Sequence, residues 1–218
     1  MYIIEKLSNK IGSKIALNLK LDQDNQEVIT YGAFNLLQTL WAILWVVVFG
    51  IVFNVLVQAL IIAFTAALLR KYSGGVHASS PNRCAAVGAV VSVGFALIIK
   101  KMFVLFGIEA IASLGVLSLL VSYYIVNKLA PVDSPEKPIV KFETKKRLKK
   151  NSILVLNVLL MFMIILGVMY FKYRNRFFLS TIECIYIGVI WQAFTLTDKG
   201  HQLLDKIDGV LDIFKRGM

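Results

Sequence analysis

From Tyr31 to Leu69 the chain carries no Asp, Glu, Lys or Arg. A stretch of that length has few ways to fold. In hydrocarbon every backbone N–H and C=O must find its partner inside the segment, so an apolar run of about 18 or more residues resolves into a membrane-crossing helix. The run is not isolated. Ala85–Ile99 and Asn151–Phe171 are also uncharged, Met102–Asn127 holds only Glu109, and Phe177–Thr197 holds only Glu183. With 58% hydrophobic and 17% charged residues, the composition as a whole falls outside that of soluble domains.

These runs predict spans at about 32–49, 54–70, 84–99, 102–127, 151–171 and 177–197. The first pair is the ambiguous one. Phe34–Leu69 as a single helix would be about 54 Å long at ~1.5 Å per residue, against a hydrocarbon core of about 30 Å. Two short helices with a turn near Gly50–Asn54 fit better, and charge agrees. Six spans leave 19 of the 24 Lys and Arg on one side, whereas five leave 15. The positive-inside rule therefore favours six spans with both ends cytoplasmic, five remaining as a tilted-helix alternative. The expected fold class is all-α: one polytopic transmembrane helical bundle over residues 1–218.

Both termini read as amphipathic segments. Ile4, Leu7, Ile11 and Ile15 recur at helical spacing within residues 1–30. Leu203, Ile207, Val210, Leu211 and Phe214 do so within 198–218. Such helices rest in the headgroup zone or cover a partner helix. Residues 1–30 lack the basic, apolar, small-residue order of a cleavable signal, so the first apolar span is expected to direct insertion. The net charge of +11 does not point to nucleic acid. Six basic residues crowd Lys141–Lys150, inside a basic loop over 128–150, where topology and anionic lipid headgroups account for them. Two cysteines in so apolar a chain do not suggest a disulfide framework.

One segment reads as chemistry, residues 70–84. Gly74–Gly75 should end the preceding helix, and Ser80–Pro81 should start the next, with Ser80 as cap and Pro at the first helical position. Cys84 then lies one turn inside a helix N-terminus, where unpaired N–H groups and the dipole favour thiolate, with Arg83 adjacent. His77 is seven residues upstream. On a straight helix the two would be about 10 Å apart along the axis. The breaks between them let the chain fold back, giving sulfur a base that takes its proton and returns it to a leaving amine. The alternatives are a small core cysteine and a solvated loop histidine.

Arg70, Gly74–Gly75–Val76–His77–Ala78 and Cys84 form a recognisable set. Together with Ala130–Pro131–Val132–Asp133, Lys137–Pro138 and the basic cluster, they resemble the accessory gene regulator B (AgrB) family of Gram-positive quorum-sensing systems. The likeness runs over nearly the whole chain in length, span order and basic loop. It implies a plasma-membrane cysteine endopeptidase acting on the cytoplasmic side upon a small amphipathic AgrD-like propeptide, whose own cysteine then closes a thiolactone. By motif, Cys84 would be nucleophile and His77 general base, with Arg70 and Gly75 supporting the loop.

No cofactor or metal is required, and His77, His201 and two distant cysteines supply no zinc set. Asp133 is the best candidate for a third, orienting group, its other reading being a turn residue before Pro135. Glu109 and Glu183 are intramembrane carboxylates, functional by default, although Glu109 sits near an outer interface and Glu183 also suits hydrogen bonding within a bundle or a homodimer. The competing function is a non-enzymatic peptide exporter in which the loop is only a gate.

Overall fold

The computed structural model describes residues 3–76, 80–102, 108–133 and 141–216. Among them the chain forms α1 (Ile3–Leu19), α2 (Gln23–Val52), α3 (Leu56–Ser73), α4 (Pro81–Met102), α5 (Ile108–Leu129), α6 (Phe142–Tyr173), α7 (Arg176–Phe194) and α8 (Asp198–Arg216). Six of these, α2 to α7, are long and apolar enough to cross a membrane. The fold is an all-α polytopic bundle.

The first apolar run divides as the six-span reading expects. Asn54 takes a left-handed backbone, φ 55°, a conformation its short polar side chain tolerates, and the Val55 N–H turns back to the Gly50 carbonyl at 2.8 Å. Gly50 lies against the start of α3, where a Cβ would stand 2.9 Å from the Leu56 Cα. The chain reverses there within three residues.

Helices begin well before the lipid-like runs do. Asp22 caps α2 by accepting from the Asn25 N–H at 2.9 Å. The α6 helix starts at Phe142, so the basic cluster up to Lys150 is its opening turns. Lys, Arg and Glu are good helix formers. Hydropathy marks where lipid starts, and helix propensity carries the element further.

The centre is α7, which packs against α3, α4, α5 and α6. One of its faces places Ile185, Tyr186 and Val189 among Leu119 and Val126 of α5 and Leu156, Leu159 and Met163 of α6. Another places Cys184 among Val55, which caps α3, Ala59 and Ile62 of α3 and Ala89, Val93 and Ala96 of α4. Small residues allow the approach. At Gly188 a Cβ would come within 2.9 Å of both the Ile62 carbonyl oxygen and the Thr65 Cβ of α3.

The N-terminal helix α1 packs on the first turns of α2 through Ser8, Gly12 and Ala16, with Gly12 directly against Thr30. Gln26 Nε2 donates to Ser13 Oγ at 3.3 Å. The contact face is therefore the small-residue face. Of the apolar stripe noted in the sequence, Leu7 and Ile15 stay exposed, while Ile4 and Ile11 are half-buried. Among the described residues of helix α8, Leu204 is buried and Asp208 forms an ion pair with Arg83 of α4.

Candidate functional site

The segment read as chemistry lies where three parts of the chain meet. Helix α3 ends at Ser73, and Gly74 and Gly75 follow with φ of 68° and 126°. Only glycine enters such backbone regions cheaply. Both positions are also sterically closed. A side chain on Gly74 would run into the Val132 carbonyl, and a Cβ on Gly75 would lie 2.9 Å from Thr195 Oγ1 and 3.2 Å from Gln192 Nε2. Gly75, singled out in the sequence, is thus a point of close approach to α7.

The turn is held from outside. The Val132 N–H donates to the Ser73 carbonyl at 2.8 Å, and Gly74 and Val132 pair as a parallel bridge. The Val76 N–H donates to the Thr195 carbonyl at 3.3 Å. Gln192 Nε2 donates to the Gly74 carbonyl at 2.8 Å and to Ser73 Oγ at 3.2 Å. Arg70 Nη2 donates to the Val76 carbonyl. Ser73, Gln192 and Thr195 are all fully buried, so this is an interior polar cluster at the end of the bundle. Each member has a hydrogen-bond partner, as a buried polar group needs.

Cys84 occupies the first turn of α4, as the capping signals predict. Ser80 stands before Pro81, its Oγ accepts from the Arg83 N–H at 3.3 Å, and its carbonyl accepts the Cys84 N–H at 2.9 Å. The thiol is free and half-buried. Arg83, expected from sequence to be the neighbouring charge, pairs with Asp208 at 3.4 Å. His77 lies outside the described residues. Its neighbour Val76 is the last residue described on the α3 side.

Asp133 directly follows the Val132 that pairs with Gly74, which brings its backbone to the edge of the turn. Its side chain is exposed. Glu109 is exposed in the first turn of α5. Glu183 is 6% exposed in α7, and its Oε2 has no hydrogen-bond partner among the described residues. It lies more than two turns along α7 from Gln192, outside the polar cluster. Cys184 is fully buried and well apart from the turn.

Sequence reading passed over Gln192 and Thr195. The available signal was two polar residues three apart at the end of a mostly apolar span, a spacing that places both on one helix face.

The family model described as accessory gene regulator B matches residues 4–196, from α1 to just past the end of α7. An AgrB-like protein of Clostridium perfringens strain SM101 is 39% identical over 207 residues, covering 94% of this chain and 97% of the relative. An AgrB-like protein 2 of Clostridium perfringens strain 13 is 38% identical over the same shares of both chains. No solved structure matches.

Proposed function

We propose, from the premise that this chain belongs to the accessory gene regulator B family, that it is a membrane-embedded cysteine endopeptidase which processes a small quorum-sensing propeptide. Cys84 is the nucleophile and His77 the general base. The substrate is an amphipathic, AgrD-like peptide. The setting is the plasma membrane of a Gram-positive bacterium, with the Gly74–Cys84 loop on the cytoplasmic side, where 19 of 24 Lys and Arg are counted.

The observation that carries this reading is a free, half-buried Cys84 thiol in the first turn of α4, with the turn that ends α3 held by Arg70. Its guanidinium bonds the carbonyl of Val76, the residue covalently before His77.

The chemistry then proceeds by acyl transfer. His77 accepts the thiol proton as sulfur adds to the scissile carbonyl carbon. The carbon–nitrogen bond breaks, the proton passes to the departing amine, and the N-terminal part of the propeptide stays as a thioester on Cys84. A thiol within the bound peptide next attacks that thioester and loses its proton, which restores the Cys84 thiol. One thioester replaces another, so ring closure to a thiolactone costs little. An oxygen ester on a serine would lie lower than the product, which is why sulfur suits the step. Exclusion of water at the membrane surface favours the internal thiol over hydrolysis.

Asp133 is the residue nearest to serving as an orienting carboxylate, since Val132 is bonded to the turn. The basic first turns of α6 provide cations for anionic lipid and for an acidic propeptide tail. Whether a homodimer forms is a separate property that this reading does not require.

The direct experiment uses purified protein in liposomes with a synthetic propeptide encoded beside its gene. Wild-type protein is expected to form a covalent adduct on Cys84, visible by mass spectrometry, and to release the C-terminal fragment. Cys84→Ala and His77→Ala should lose release by about 10³-fold or more at normal protein level. Unimpaired cleavage by Cys84→Ala would end the peptidase reading in favour of an exporter.

A further inference from the structure

We propose that the outward face of α6 around Asn157 is the surface on which a second copy of this chain docks within the membrane, an association independent of the peptidase chemistry above. Asn157 stands six residues into the uncharged run Asn151–Phe171, about 9 Å along the axis at ~1.5 Å per residue. Its side chain is exposed on the outside of the bundle. At that depth the surroundings are hydrocarbon, where an amide is costly unless its polar atoms are matched. Only part of that need is met within the chain. Tyr123 of α5 donates its hydroxyl to Asn157 Oδ1, and among the described residues nothing accepts from Asn157 Nδ2.

The residues around Asn157 have the spacing of a helix seam. Leu154, Asn157, Met161, Ile164, Val168 and Phe171 follow one another at alternating intervals of three and four, and every one is exposed. That alternation keeps one stripe turned toward a partner helix along its length. An apolar stripe alone would suit lipid tails equally well. Asn157 decides between them, because a single Asn at a seam position fixes register and partner number, and Asn bonds across helices in membranes. The occupant follows from the same chemistry. A primary amide carries donors and an oxygen with two lone pairs, so it is its own complement. Tyr123 occupies one lone pair and leaves the other. Across a two-fold axis Asn157 Nδ2 donates to the Oδ1 of the partner's Asn157, and the reverse. Both copies enter the membrane in the same direction, so the two α6 helices run parallel, as a seam with matched Asn positions requires.

The test uses the full chain in liposomes, with Cys84→Ser and Cys184→Ala removing both native thiols. Met161→Cys then places a thiol on the seam one turn beyond Asn157, and Leu40→Cys places one on the exposed surface of α2 as control. Oxidation with copper phenanthroline is expected to link Met161→Cys into dimers and to leave Leu40→Cys mostly unlinked. Self-association is read separately, by energy transfer between labelled copies at graded protein-to-lipid ratios. Asn157→Leu is expected to weaken it about fivefold, while Tyr123→Phe, which keeps the amide, still associates. A chain that is monomeric at every ratio, with the seam covered by lipid alone, overturns the proposal. Equal linking at the two thiol positions does so too. A loss of thermal stability in Asn157→Leu with self-association intact would confine the amide to the α5–α6 contact and overturn it as well.

Discussion

Helices α2 and α7 read alike in the sequence, each an apolar run of membrane length, yet they do opposite jobs. Along α2 only Val46 and Gly50 are buried, and Leu36, Leu40, Leu44 and Val48 are left open on its surface. Along α7 ten residues are buried, and four of these are Thr181, Glu183, Gln192 and Tyr186, side chains with polar groups. The difference teaches that in a membrane, apolar character marks contact with lipid as readily as contact with protein. Polar and small residues are the better pointer to the packed centre, since hydrophobicity gives helices no reason to prefer each other over lipid tails. In α7 those residues meet neighbours on all sides.

Five substitutions can break or sharpen that contrast, each read as thermal unfolding in detergent. The largest effect is expected from Gly188→Leu. Its branched side chain must push α7 from the backbone of α3, where even a Cβ at 2.9 Å is too close. A loss of about 3 kcal/mol or more follows. Gly32→Leu in α2, where a Cβ meets nothing within 4 Å, should leave stability unchanged. Equal losses at both sites would erase the distinction.

Ile185→Ala comes next. The side chain is 2% exposed within the core shared with α5 and α6, and its removal should cost about 2 kcal/mol, the low end of the range for soluble proteins because lipid is not water. Leu40→Ala on α2, where Leu40 is 54% exposed, should cost less than about 0.5 kcal/mol. The smallest effect has the opposite sign. Glu183 has a buried Oε2 without a hydrogen-bond partner among the described residues, so Glu183→Met should raise stability by about 1 kcal/mol. A fall instead would show that the carboxyl ties helices together.

The sequence made the membrane helices plain because lipid imposes one strong rule, and it made the division at Asn54 plain because length and charge both demanded it. The start of α4 was equally legible, since Ser80, Pro81 and the helix they begin are a local matter. What escaped was non-local. Nothing near Gly74 announces that Gln192, well over a hundred positions later, donates to its carbonyl. Nor does Ile4–Ile15 reveal that α1 packs through Ser8, Gly12 and Ala16 instead of its apolar stripe. Arg83 was read as the cation for Cys84 because it is adjacent in sequence. In space Arg83 also pairs with Asp208 of α8, 125 positions later, which its neighbours in sequence do not announce.

The hairpin of α1 on α2 has a further consequence. At 30 residues α2 extends about 45 Å, some 15 Å more than hydrocarbon can hide, and α1 is seated on the projecting end through Gly12 and Thr30. With half of its oily stripe still turned outward, α1 behaves as a float fastened to a mast, setting how deep the mast can sink. A thicker bilayer would press on the float and a thinner one would lift it clear. Membrane thickness thereby becomes a variable to which the N-terminal end of this protein must respond.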